Sequence, residues 1–290
     1  MRGPDSMPCM AALKRRRGPS KWADELAFAV DAARRAGELI QQGYGNLERI
    51  EHKSRRDVVT EIDVRSEELI IAAVRERFPG DGILAEESGS HDGAGRRRGR
   101  TWVIDPLDGT VNYANGIPFY CVSIGLVALG KPVVGVVLDP ARDDLYAATA
   151  DGPATLNGED IRASTKDKLG DFVVAMAIIG KGGIWRERRI ARNIRISRRM
   201  GSAALGLAYV GSGRFDAMVQ NGGLSPWDVV AAGLIVERAG GTVSALLGGP
   251  WLDVGAKSGT VTIVAAPQPH HTRLLELIAQ AGASVRTRRP

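Results

Sequence analysis

The sequence predicts an α+β fold in which two helices lead into an antiparallel-rich run of strands and a second α/β half follows. Three observations carry this. Trp22, Leu26, Val30, Ala33, Gly37 and Ile40 recur at steps of three and four, the spacing of an amphipathic helix that ends near Gly43-Tyr44-Gly45. A second helix is expected from about 63 to 78, closed by Pro79-Gly80. Short apolar runs bounded by turn residues then succeed one another at 82–85, 101–104, 121–128, 133–138 and 145–149, with Asn157-Gly158 as a further turn. Strands in succession after helices argue for α+β rather than for alternating βαβ units.

The remaining elements follow the same logic. Lys53-Ser54-Arg55-Arg56 reads as a link between the two leading helices, and the Gly/Arg-rich stretch 89–99 as a flexible loop. Beyond 160, strands are expected at 172–179, 215–219, 242–245 and 261–265. Gly201-Ser202-Ala203-Ala204 opens a small-residue helix to about 210, and a last helix spans 272–281. Ser225 at N-cap, Pro226 at N1 and Asp228 at N3 form a capping-box arrangement that starts a helix over 226–239, ended by Gly240-Gly241. The segment 181–199 receives no assignment. The expected division is a basic tail over 1–20, an N-terminal half over 21–160 and a C-terminal half over 161–290.

Composition narrows the function classes. Of 290 residues, 44% are hydrophobic and 25% charged, an ordinary globular balance. No run of eighteen apolar residues interrupts it, so a membrane span is not expected. Met1 to Ser20 contains Lys14-Arg15-Arg16-Arg17 with no apolar stretch after it, which is not a secretory signal. Cys9 and Cys121 are the only cysteines; no disulfide and a cytoplasmic setting are expected. The net charge of +6 comes from the tail, Arg96 to Arg100 and Arg186 to Arg199, and aromatics are only 5%. Without aromatics interleaved for base stacking, nucleic acid is not expected as the main partner. His52, His91, His270 and His271 lie outside every motif and read as surface or loop residues.

The chemistry concentrates in Trp102-Val103-Ile104-Asp105-Pro106-Leu107-Asp108-Gly109-Thr110-Val111-Asn112. Pro106 is expected to stop the strand, which leaves Asp105 and Asp108 on a tight loop. Two carboxylates so placed are costly unless a cation sits between them. Hard divalent ions such as Mg²⁺ take such oxygen ligands, with backbone carbonyls and the Thr110 hydroxyl beside them. The plain alternative is turn capping. Upstream, Glu86-Glu87-Ser88 ends another strand, and Asp63 heads a helix, where the dipole alone favours an acid. Downstream, Asp228 opens the helix after Ser225.

Taken together, D-x-V-T-x-x-D at 57–63, E-E-S at 86–88, W-x-I-D-P-x-D-G-T-x-N at 102–112, G-S-A-A at 201–204 and P-W-D at 226–228 resemble the inositol monophosphatase family, in order and spacing, over roughly 22–277. The resemblance implies a layered αβαβα sandwich with the site between its halves, a homodimer and sensitivity to Li⁺. It implies two to three Mg²⁺ ions. Glu86, Asp105 and the Leu107 carbonyl hold one, and Asp105, Asp108 and Asp228 the second. Asp63 helps Glu86 with a looser ion through water and pairs with Thr110 to activate the attacking water. Backbone N–H groups of Gly109 and Thr110 bind phosphate oxygens. Asp108, the Gly201-Ser202-Ala203 segment and the position of Asn221 contact the alcohol.

Phosphate monoesters resist hydrolysis because an anion repels the nucleophile and an alkoxide leaves poorly, and paired divalent ions address both. The expected activity is therefore metal-dependent hydrolysis of a small polyol phosphate, inositol 1-phosphate first. Fructose 1,6-bisphosphate, 3′-phosphoadenosine 5′-phosphate and histidinol phosphate are the same-fold alternatives. A non-catalytic relative that binds RNA or protein is a further one. The chain departs from the family in carrying Asn221 where relatives carry a glutamate, and in the shortness of 181–199.

Overall fold

The structure is a computed structural model that describes residues 20–47, 49–54, 57–93, 99–178 and 183–286. The expected tail, apart from Ser20, Cys9 and the centre of the 89–99 loop lie outside these residues. Helix α1 (Ala23–Gly43) is followed by a hairpin of β1 (Ile50–Ser54) and β2 (Asp57–Thr60), and then by helix α2 (Glu61–Arg77). Next come β3 (Gly82–Ala85), β4 (Gly89–His91), β5 (Arg100–Asp108) and the short helix α3 (Thr110–Ala114). Strands β6 (Cys121–Ala128), β7 (Lys131–Asp139), β8 (Asp144–Thr149), β9 (Ala154–Leu156) and β10 (Glu159–Asp160) complete an eight-stranded sheet. Its order is β10-β9-β8-β7-β6-β5-β3-β4, antiparallel except for β3 beside β5.

The rest of the chain builds β11 (Val173–Ile178), α4 (Gly183–Ala191), β12 (Ile196–Arg198), α5 (Ala203–Gly211) and β13 (Ala217–Leu224). Helix α6 (Pro226–Arg238), β14 (Thr242–Ser244), β15 (Val261–Ala266) and helix α7 (His270–Arg286) follow. The five strands form a second sheet ordered β12-β11-β13-β15-β14. Helices α1 and α2 cover one face of the large sheet, α5 and α6 lie between the sheets, and α4 and α7 cover the outer face of the small one. This is the layered αβαβα sandwich.

Strand sequences show why the layers form. On β6, Val122, Ile124 and Leu126 join the core under α1 and α2, while Cys121 belongs to the core under α5 and α6. Both faces of the sheet are buried, so its strands read as nearly unbroken apolar runs. Two glycines seat α6 directly on this sheet. A Cβ on Gly125 would lie 2.6 Å from the Val230 side chain, and one on Gly135 would lie 2.4 Å from the Ala231 carbonyl. Only a bare Cα lets the helix backbone come so close, and that closeness carries Asp228 to the sheet.

Several expectations need correction. Strand β5 does not stop at Pro106 but runs on to Asp108, because its register against β6 slips there: Asp105 faces Ser123 and Asp108 faces Cys121. Three steps on β5 match two on β6, so one extra residue is absorbed in a bulge, a position where proline is tolerated in a sheet. The supposed link after α1 contains β1 and β2, and β13 continues past 219 to Leu224. The unassigned 181–199 stretch includes α4 and β12, with Ile190 and Ile194 buried against α7's side of the small sheet. His270 and His271 are buried rather than on the surface: His270 packs edge-on against Phe172, and His271 Nε2 lies 3.0 Å from Ser244 Oγ.

Candidate active site

The bulge in β5 creates the centre of the site. Residues 105 and 108 would point to opposite faces of a regular strand, since side chains alternate. With one residue absorbed, their partners Ser123 and Cys121 are two apart, so both carboxylates point to the face covered by α5 and α6. Leu107 N–H turns back to Asp105 Oδ1 at 3.0 Å, which tightens the loop. Gly109 follows at φ 98°, a left-handed conformation that a side chain resists, and a Cβ there would meet the Phe119 carbonyl at 3.0 Å.

Asp228 reaches the same point from α6. Its Oδ2 accepts the Ser225 N–H at 2.6 Å, as the capping box requires. The carboxylate oxygens of Asp105, Asp108 and Asp228 then lie within 4.8 Å of one another. Burial pushes all three carboxyl groups above the ordinary aspartate range; at Asp105 the charges of Glu86, Asp108 and Asp228 push further. Asp108 is drawn back toward ionisation by donors at the start of α5: Ser202 Oγ and Ala204 N–H both approach its Oδ2 at 2.6 Å. Glu86, at the end of β3, sits beside Asp105 and extends the parallel ladder through its N–H to the Ile104 carbonyl at 3.2 Å.

The second group is Asp63 with Thr110. Asp63 is fully buried; its Oδ2 accepts the Thr60 N–H at 2.8 Å and the Thr60 hydroxyl at 2.6 Å. Its Oδ1 lies 2.8 Å from Thr110 Oγ1, which is also 3.0 Å from the Leu107 carbonyl. The expected pairing of Asp63 with Thr110 is thus formed. Gly201 and Ser202 precede α5, and Ala203 begins it, so this segment is drawn onto Asp108. Asn221 lies in β13 between Ile178 and Thr262, just before the bulge that leads to Ser225.

The donor set is one of hard oxygens, which suits Mg²⁺ or Mn²⁺ rather than a thiolate-seeking metal. Cys121 Sγ stands 3.8 Å from Asp108 Oδ2, but burial pushes its thiol well above the ordinary cysteine value, so it stays protonated. Three carboxylates crowded together and forced toward neutrality chiefly by burial are the arrangement that a divalent cation relieves.

Sequence reasoning missed Asn112, although it ends the central motif. Its amide donates to the carbonyls of Phe119 and Met200, both at 2.7 Å, and so ties the β5 loop to the residue before Gly201. Ser123, whose hydroxyl bonds the Trp227 carbonyl at 3.1 Å, was also unmarked. So were Ser66 and Glu67, whose only sequence signal is their spacing of three and four from Asp63.

The profile of the inositol monophosphatase family matches residues 22–283. An inositol monophosphatase of Mesembryanthemum crystallinum is 38% identical, over 85% of this chain and 92% of that protein. The Nus factor SuhB of Pseudomonas aeruginosa is 39% identical, over 77% of this chain and 86% of that protein. The crystal structure of the extragenic suppressor protein suhB of Bartonella henselae superposes with a TM-score of 0.81 at 32% identity, covering 88% of this chain and 98% of that one.

Proposed function

The chain belongs to the inositol monophosphatase family, and on that premise we propose that it is a metal-dependent phosphomonoesterase acting on a small polyol phosphate, with inositol 1-phosphate as the leading substrate. Members of the family are phosphatases, and the family is metal-dependent. The observation that carries the reading is the convergence of Asp105, Asp108 and Asp228 within 4.8 Å, each held toward its neutral form by burial, with neighbouring carboxylates adding to this at Asp105 and Asp228.

In this reading Glu86, Asp105, the Leu107 carbonyl, Asp108 and Asp228 would hold two to three Mg²⁺ ions. When bound, such ions lower the pKa of a water and stabilise charge on the leaving oxygen. The Asp63–Thr110 pair orients the attacking water, whose proton Asp63 Oδ1, 2.8 Å from the Thr110 hydroxyl, is placed to receive. Backbone N–H groups of Gly109 and Thr110 receive phosphate oxygens. Asp108 accepts from the substrate alcohol, while Gly201, Ser202, Ala203 and Asn221 shape its side of the pocket. Ser202 acts there through its hydrogen bond to Asp108. Among the described residues no helix is long and apolar enough to cross a membrane, and the reading takes the protein as a cytoplasmic homodimer.

The test is phosphate release from inositol 1-phosphate, fructose 1,6-bisphosphate, 3′-phosphoadenosine 5′-phosphate, histidinol phosphate and glycerol 2-phosphate, with Mg²⁺, with EDTA and with Mg²⁺ plus Li⁺. Preference for inositol 1-phosphate that EDTA abolishes is expected. Preference for another substrate keeps the mechanism and moves the specificity, with Asn221 the first position to examine. Silence across the panel by folded, Mg²⁺-bound protein sinks the reading and favours a binding role. Asp105→Asn is expected to lose turnover with the fold intact.

A further inference from the structure

Helix α2 turns one face toward the site. Asp63, Ser66 and Glu67 are three and four positions apart, so they share that face, and all are buried. Each holds a different segment of chain. Asp63 meets Thr60 and Thr110, as described above. Ser66 Oγ donates to the Pro106 carbonyl at 3.1 Å, in the bulge between Asp105 and Asp108. Glu67 accepts the Glu87 N–H on Oε2 and the Ser88 N–H on Oε1, both at 2.8 Å.

Glu67 figures in none of the roles assigned so far. Its side chain, 3% exposed, points at the two peptide groups that directly follow Glu86. On the other side, the N–H of Glu86 itself is tied to β5 through the Ile104 carbonyl. The backbone of Glu86 is therefore held from both directions, by a strand before it and a helix after it. A carboxylate suits such a clamp, because two N–H groups side by side are met by two acceptor oxygens, with charge assistance at each. A glutamine offers one oxygen and sets its NH₂ against the second N–H.

We propose that Glu67 is a positioning residue of the metal centre, clamping the Glu87 and Ser88 N–H groups so that the Glu86 carboxylate is aimed at Asp105. The inference rests on the metal-dependent reading above and extends it to a residue on α2 that contacts the peptide groups next to Glu86. Glu67 touches neither metal nor substrate and acts only through the orientation of Glu86.

The experiment compares wild type and Glu67→Gln by calorimetric titration with Mg²⁺ and by thermal melts with and without Mg²⁺. Ile70→Val, a core change on the same helix, serves as a variant of matched stability loss. Glu67→Gln is expected to weaken the tighter Mg²⁺ site by about 10- to 100-fold, the range for loss of a group that orients a ligand. Its Mg²⁺-dependent gain in Tm should shrink accordingly, and kcat at saturating Mg²⁺ should recover more than Mg²⁺ affinity does. Ile70→Val should lower Tm while leaving Mg²⁺ affinity within twofold. If Glu67→Gln does not fold, Glu67→Asp keeps the charge at a shorter reach and should still weaken Mg²⁺ several-fold. Mg²⁺ affinity within twofold of wild type in a folded Glu67 variant overturns the proposal and leaves the metal reading standing. A wild type that binds no Mg²⁺ overturns both.

Discussion

Asp63 and Asp228 occupy the same place in the same local motif, the third position of a helix opened by a Thr or Ser N-cap, and the structure uses them differently. Each spends Oδ2 on its own helix: Asp63 accepts from Thr60 N–H at 2.8 Å, and Asp228 from Ser225 N–H at 2.6 Å. The distinction lies in what stands opposite the helix start. Before α2 it is Thr110, a neutral hydroxyl 2.8 Å from Asp63 Oδ1. Before α6 it is the Asp105–Asp108 bulge, whose carboxylates lie within 4.8 Å of Asp228. On the proposed reading, one helix start thus delivers an acceptor for a proton and the other a charge that needs a cation. A capping box is therefore no argument against function: the cap engages one oxygen and fixes the direction of the other.

The largest effects should separate these two roles. Asp228→Asn keeps an oxygen for the Ser225 N–H, so α6 should survive. Loss of a ligand charge should weaken Mg²⁺ beyond the roughly 100-fold at which loss of an orienting neighbour tops out, and turnover should fall to background. Asp63→Asn also keeps its cap, yet it removes the proton acceptor, so kcat should drop by about 10²-fold or more with Mg²⁺ affinity changed little. Calorimetry beside steady-state kinetics distinguishes the two patterns. Should Asp63→Asn lose Mg²⁺ as severely as Asp228→Asn, both acids are ligands and the contrast collapses.

A smaller effect concerns stability without metal. Asp105, Asp108 and Asp228 are each raised above the 3.8 of a free aspartate, so the native state holds protons that the unfolded chain has released. Their contribution to stability is fully present below pH 3.8 and is lost as pH rises through the folded values, at about 1.4 kcal/mol for each tenfold difference in proton affinity between the folded and unfolded chain. In EDTA, Asp228→Asn should therefore become progressively more stable than wild type as pH rises above 3.8, whereas in Mg²⁺ the order should reverse. Parallel melting curves for the two proteins across that range would contradict the account.

The same contrast marks what was legible in the sequence. The layers were, because strands buried on both faces must be apolar throughout and α1 must repeat at helical spacing. The acids were, because motif order placed them at element ends. The β5 bulge was not: Pro106 obeys a local rule against strands, and only the pairing of Asp108 with Cys121 on another strand overrides it. Asn112 and His271 were hidden for the same reason, since their partners Met200 and Ser244 are distant in the chain. Helix α4 was obscured because its arginines dominate the pattern, and Ile190, with Ile194 just beyond the helix, supplies the large apolar side chains on its buried side.

The smallest expected effect tests whether the two helix starts really are alike at the local level. Thr60→Ala removes the acceptor of the Ile62 N–H and the hydroxyl bonded to Asp63, and should cost about 1 kcal/mol, as cap deletions do. Ser225→Ala removes the bonds of its hydroxyl to Ser258 Oγ at 2.9 Å and from Gly259 N–H at 3.2 Å, and should cost about the same. Chemical denaturation in EDTA reads both. In Thr60→Ala, Asp63 loses one of the contacts that fix its Oδ2, so kcat should fall a few-fold while Mg²⁺ affinity holds. In Ser225→Ala the Asp228 carboxylate keeps its backbone donor, so both should stay near wild type. Similar stability losses with those unequal functional losses would place the difference between the two aspartates in what they face. Equal functional losses would place it in the caps themselves, and the reading of Asp63 as the proton acceptor would then have to give way to one in which its main work is to start α2.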